Sequence, residues 1–250
     1  MKIQSAVAVI VGFALPLLTA PANAAELKLL EGNALNAVIS DLGPQFEKAT
    51  GNKIDATIGT SAQLKAKVDS NEAFDAIILT KALLDQLAAQ GKVADAPRAP
   101  IAHVGIGVAI RKGAPKPDIS TVDAFKQAML NAKSIGYVDN TPTGAALKAI
   151  FAKLGIADQV NPKLKPLTIQ AADAAANGDV EIAMTQTSEI LPVAGAELVG
   201  PLPADIQVNT VFAVGISTAA KNADGAAALI KFLTSPSAAA VIKAKGMEPG

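Results

Sequence analysis

Apolar and polar residues alternate with period two in short runs along this chain, and most of these runs pass into stretches where apolar residues recur every three to four positions. "ELKLLE" has the strand pattern, and Leu35, Val38, Ile39, Leu42 and Phe46 then form one face of a helix ending near Thr50-Gly51. Gly43-Pro44 inside that stretch predicts a kink or a split. "KIDATI" is a strand with Ile54, Ala56 and Ile58 on one face, and "AQLKAKVDS" a helix. "FDAIIL" is a short buried strand before a helix over "ALLDQLAAQG" that stops at Gly91. Strand and helix in strict alternation imply a parallel sheet covered on both faces.

Residues 94–100, "ADAPRAP", form a Pro-rich break, after which "HVGIGVAIRKG" resumes as a strand. A second α/β set follows: a helix over "TVDAFKQAML", a strand at "KSIGYVD", a helix over "GAALKAIFAKLG" and a strand at "DVEIAM". "ELVGPLPADIQ" reads as a loop-rich return and "TVFAVGIS" as another strand. The end is helical over "ADGAAALIKFLTSPSAAAVIKAKG", interrupted near Ser235-Pro236.

Composition narrows the function. The 22 basic and 22 acidic side chains balance, so there is no basic field for nucleic acid or anionic lipid. Aromatics are 3% with no Trp, which leaves no set of stacking platforms. Cysteine is absent, so stability rests on a core rather than on disulfides. The first residues, a single lysine, an apolar run from Ala6 to Leu18 and Ala22-Asn23-Ala24, fit a signal peptide over 1–24 with cleavage after Ala24. The expected product is exported into a periplasm, with no cysteine at the new terminus to carry a lipid.

In open parallel sheets, ligands bind beyond the carboxyl ends of the strands, where helix N-termini point free N–H groups into a crevice. Four strand-to-helix turns are visible: "EGNALN" with Gly32, Asn33 and Ala34, "GTSAQ" with Gly59, Thr60 and Ser61, "DNTPTGAAL" with Asn140, Thr141, Thr143 and Gly144, and "AMTQTSE" with Thr185, Gln186 and Thr187. All are rich in small neutral hydrogen-bonding groups, and none carries Arg or Lys. An arginine fork is the usual partner of a planar carboxylate or of phosphate, so these turns favour a small, fully ionised oxyanion or a neutral polar solute. Ser61, Thr143 and Asn33 also stand where helix N-caps are expected, and capping alone accounts for each of them singly.

Catalytic and metal chemistry find little support. "GTSAQ" lacks the final glycine of a nucleophile elbow, and His103 is the only histidine, so a Ser61/His103 hydrolase is a weak rival. Asp69, Asp75 and Asp139 lack the loop spacing of a calcium site, and no cofactor is expected.

The order of these motifs resembles the periplasmic molybdate-binding proteins of ABC importers, from "LKLLEGNALNAVISDLGPQFEKATG" through "IGTSAQLKAKVDSNEAFDAIIL" and "YVDNTPTGAALKAIFAKLG" to "ALIKFLTSPSAAAVIKAKG". The resemblance implies a two-lobed type II periplasmic binding protein, α/β with mostly parallel sheets. Lobe 1 is expected over 26–103 plus 212–250 and lobe 2 over 104–211, joined by crossing strands. It further implies a monomer that is no enzyme and that delivers a small oxyanion to an ABC permease. A binding protein of the same fold for a different small polar or organic-acid solute, in transport or in sensing, is the alternative. Carried over position by position, the binding hydroxyls fall on Ser61 and on Ala34 beside Asn33, a backbone amide on Thr143-Gly144, a contact within Pro166 to Gln170, and a closing tyrosine on Met184 near Gln186. Ala34 and Met184 are departures, because each lacks the hydroxyl that the resemblance calls for.

Overall fold

A computed structural model describes residues 25–168 and 170–250. The expected signal peptide, 1–24, lies outside the described residues. The first strands and helices alternate as the pattern predicts: β1 (Glu26–Gly32), α1 (Asn36–Thr50), β2 (Lys53–Gly59), α2 (Ser61–Asp69), β3 (Ala76–Thr80) and α3 (Lys81–Ala89). A long strand β4 (Val93–Arg111) leads to α4 (Val122–Asn131), β5 (Ile135–Val138), α5 (Pro142–Lys153), α6 (Ala157–Val160), β6 (Leu164–Leu167), α7 (Ala171–Asn177), β7 (Ile182–Gln186) and α8 (Thr187–Ile190). The chain then returns through β8 (Ala196–Pro201) and β9 (Asn209–Ser217) to α9 (Ala223–Leu233), α10 (Pro236–Ala244) and the short β10 (Glu248–Pro249).

The strand order is β2-β1-β3-β9-β4-β7-β5-β6, with β8 and β10 pairing β4 from the side. In the first half β1 is parallel to β2 and β3, and in the second half β5 is parallel to β6 and β7. β9 runs antiparallel to β3 and β4, and β4 runs antiparallel to β7 and β8, so β4 belongs to both halves and joins them.

Each half is covered on both faces. Leu27 and Leu29 of β1 pack with Val38 and Phe46 of α1, Leu229 of α9 and Ile242 of α10. On the other face Ile77 and Leu79 of β3 meet Leu64 and Val68 of α2 and Leu84 and Leu87 of α3. In the second half Val108, Ile135 and Ile182 pack with Phe125 of α4 and Phe151 of α5, while Ala109 and Ala183 face the alanines of α7. A fully buried side chain of the Leu or Phe class contributes about 1.5–3 kcal/mol, so these layers carry the stability that a cysteine-free chain needs.

Four local expectations change. Residues 94–100 are not a break: β4 runs through them, with register shifts between Val93 and Arg98 and between Pro100 and Ala102, where a proline removes no regular ladder bond. Pro44 lies inside α1, which continues past it as one helix. "ELVGPLPADIQ" contains most of β8, because its first residues pair with Gly107–Ile110. On β2, an edge strand, Ile58 stays 49% exposed, so its predicted apolar face is only partly covered.

Candidate functional site

Between the two halves lies a cavity of about 740 Å³, and its wall is built from turns that follow strand ends. From the first half come Gly32, Asn33 and Ala34 after β1, Thr60, Ser61, Gln63 and Lys65 after β2, and Thr80, Leu83 and Gln86 after β3. From the second half come Asn140, Thr141 and Thr143 after β5, Thr168 and Gln170 after β6, and Thr185, Gln186 and Glu189 at and beyond the end of β7. Phe212 of β9 adds an apolar side.

The start of α2 separates two roles that its sequence leaves mixed. Thr60 is the cap: its Oγ1 accepts from the Gln63 N–H at 3.2 Å, and the Thr60 N–H donates to Gln63 Oε1 at 2.8 Å, a complete capping box. Ser61 is the first helical residue, so its hydroxyl is not needed by the helix and lines the cavity. The expectation that Ser61 caps is therefore corrected to Thr60.

The same correction holds for α5. Thr141 is the cap, accepting from the Gly144 N–H at 3.0 Å. Gly144 is buried, its amide is committed to that cap, and it is not among the residues lining the cavity. A Cβ there would stand 2.6 Å from the Val138 carbonyl, so glycine lets α5 approach the end of β5. Pro142 has no N–H, which leaves the Thr143 amide and hydroxyl as the donors that the first turn of α5 brings to the wall. Asn33 lies in a 3-10 turn and makes no side-chain cap bond.

Of the other predicted site residues, Asn33, Ala34, Thr60, Met184 and Gln186 all reach the wall. Ala34 is 4% exposed and Met184 fully buried, and both belong to the apolar cores, so neither position supplies a polar donor from its side chain. The expected contact within Pro166 to Gln170 narrows to Thr168 and Gln170. His103 sits on β4 opposite Val211 and Glu248 and is not among the residues lining the cavity with Ser61, which removes the geometry of the hydrolase rival.

Several wall residues were not anticipated. The turn after β3 was passed over because "LTKALL" has only one small polar residue before its helix. Lys65 brings a cation to the wall, although its Nζ also lies 2.5 Å from Asp69 on the same helix. Glu189 is half-buried; burial pushes its carboxyl above the ordinary carboxylate range, against the hydrogen bonds from Thr185 Oγ1 and the Gln186 N–H that pull it down. The signal was present in "TQTSE", an acid in the first turn of a helix, but nothing in the spacing separates that from ordinary capping. Behind the wall Glu31 is 1% exposed, with Oε1 unpartnered among the described residues, and burial pushes its carboxyl up to about 7.

The chain is similar to two curated proteins. It is 30% identical over 229 residues to an aconitate isomerase of Pseudomonas sp, covering 89% of this chain and 87% of that protein. It is 26% identical over 239 residues to the molybdate-binding protein ModA of Azotobacter vinelandii, covering 92% of each. Among solved structures, the periplasmic molybdate-binding protein of Azotobacter vinelandii superposes with a TM-score of 0.75 at 19% identity, over 88% of this chain and 98% of that one, which shows the two-lobed type II fold. The sequence profile of the bacterial extracellular solute-binding proteins matches residues 27–248, and with the crossing strands and the inter-half cavity already described, the chain belongs to that family.

Proposed function

We propose that the protein captures a small organic acid with several carboxylates in the cleft and delivers it to an ABC permease from the periplasm. The observation that carries this reading is the mixed character of the wall. An ionised carboxylate, like a tetrahedral oxyanion, needs donors, and here they are spread over a cavity of about 740 Å³: the carboxamide N–H groups of Asn33, Gln86, Gln170 and Gln186 and the Lys65 ammonium stand with the hydroxyls, while Glu189 adds an acceptor for a protonated carboxyl. The two hydroxyls that the molybdate-binding resemblance calls for are absent at Ala34 and Met184, and the cavity is in the size range of small-molecule pockets.

In this reading the lobes are 26–103 with 212–250, and 104–211, hinged on β4 and β9 near His103–Ile106 and Val211–Val214. Contacts from both lobes to one ligand favour the closed state. Ser61 and Asn33 hold the ligand from the first lobe, Thr143 and Gln186 from the second.

Glu189 favours a second reading, in which the cleft isomerises such an acid as well as holding it. A carboxyl with raised proton affinity in a cleft is a group suited to proton transfer, and the relative named aconitate isomerase supports the same class of ligand.

The test is a thermal-shift screen of the mature protein against cis- and trans-aconitate, citrate, molybdate, tungstate and sulfate. A ligand that binds only the folded state at a thousandfold excess over its Kd stabilises it by about 4 kcal/mol. Stabilisation by the tricarboxylates is expected; stabilisation by molybdate and tungstate alone overturns the organic-acid reading.

A further inference from the structure

We infer that Glu189 is the single group that removes a proton from a bound unsaturated polycarboxylate and returns it to a different carbon. The inference rests on the organic-acid reading and names the residue that would turn capture into isomerisation.

Among the described residues, three side chains of the cavity wall ionise as acid or amine: Lys65, Asp173 and Glu189. Lys65 is tied to Asp69 at 2.5 Å on its own helix, and Asp173 is exposed at the start of α7. Glu189, half-buried and without a charged partner among the described residues, accepts from Thr185 Oγ1 through its Oε2. That bond and the one from the Gln186 N–H fix the carboxyl from its own helix turn. Thr185 is thus a positioning residue and Glu189 the catalytic one. With burial raising its proton affinity, the carboxylate is a stronger base than a surface acid and, once protonated, can return the proton it has taken.

The step balances within the substrate. The Glu189 carboxylate takes a proton from a CH₂ lying between a carboxylate and a C=C bond. The C–H electron pair delocalises through the alkene into a carboxylate as a dienolate. The protonated Glu189 then gives the same proton to the far alkene carbon, the double bond moves one place, and Glu189 is again a carboxylate. No oxidant or reductant is consumed. The negative charge that spreads over the dienolate faces hydroxyl and amide donors at Ser61 and Thr143, in the first turns of α2 and α5, groups fixed before the reaction begins. With aconitate the shifted product is again aconitate, in the same or the other geometry.

The experiment uses the mature full chain and trans-aconitate deuterated at its CH₂, in ordinary water, followed by NMR, with thermal shifts recorded in parallel. Conversion to the cis isomer is expected, with part of the deuterium recovered on the new carbon because one group carries it across. Glu189→Gln should lose at least about 100-fold in rate while aconitate still raises its Tm. Glu189→Asp, which withdraws the acid by one methylene, should keep a measurable rate. A Tm rise with no conversion by the unaltered protein overturns this inference and leaves the organic-acid reading standing. Absence of a Tm rise with every organic acid overturns both. Wild-type rates in Glu189→Gln, or conversion with complete loss of label, overturn the assignment of one proton-carrying group.

Discussion

Thr60 and Gln63 hold each other, hydroxyl to amide at 3.2 Å and amide to carboxamide at 2.8 Å, and Ser61 between them is left out of the exchange. Capping at the start of α2 therefore rests on Thr60, and Ser61 is left to the cavity wall. Thr60→Ala should cost about 1 kcal/mol, seen as a fall of about 2–4 °C in the Tm of the empty protein. Ser61→Ala should leave that Tm nearly unchanged and weaken ligand binding in calorimetry. A reversed pattern would return Ser61 to the role of a cap.

Gly144 tests how closely α5 must approach β5. Its substitution by alanine places a methyl group 2.6 Å from the Val138 carbonyl, a backbone atom that cannot swing aside. Gly144→Ala should destabilise the protein by about 1–3 kcal/mol. It should also displace Thr143 from the wall, so affinity measured on the folded fraction falls as well. Thermal melts with and without ligand separate the two effects.

Glu31 makes stability depend on pH. Its ordinary value of 4.5 is raised to about 7 in the fold, so between those values the native chain binds more protons than the unfolded one. Stability contributed by the neutral form is thus full at about pH 4.5, falls as pH rises through 7, and is gone above it. The difference is of order 3 kcal/mol. Glu31→Gln should flatten that slope in urea melts taken from pH 5 to 8. An unchanged slope would show that Glu31 is not its source.

Asp75 is buried as well, but its oxygens are fully partnered. Its Oδ1 accepts from the amides of Lys221 at 2.7 Å and Asn222 at 2.9 Å, and its Oδ2 from that of Lys28 at 2.9 Å. One side chain thereby joins β1 to the loop that enters α9. Asp75→Ala strands three amides and should cost at least about 3 kcal/mol in chemical denaturation, with ligand affinity per folded molecule unchanged.

The order of elements was legible because period two and period 3.6 are properties of neighbouring residues. "FDAIIL", "TVDAFKQAML" and "TVFAVGIS" each fall on the strand or helix that their spacing requires. The prolines of 94–100 misled because their tolerance in β4 depends on register shifts against β9, a partner far along the chain. The wall was partly legible for a related reason. Ser61, Thr143 and Gln186 stand at strand-to-helix turns that sequence marks well, and the sheet brings those turns together. Which hydroxyl caps and which is free was not legible, since Thr60/Ser61 and Thr141/Thr143 differ by one or two positions. Glu189 was missed because its raised proton affinity comes from burial, which composition does not record.

Strand β9 sits in the ladder between β3 and β4, yet it is made only after the whole second half of the sheet. Until it emerges, Ile77 and Leu79 have no neighbour at that edge, and the layer that α9 and α10 complete over β1 stays open. The first half therefore cannot close during synthesis, however early its own residues appear. That half stays open until the last residues arrive, and an open half is easier to draw through a narrow channel than a closed one.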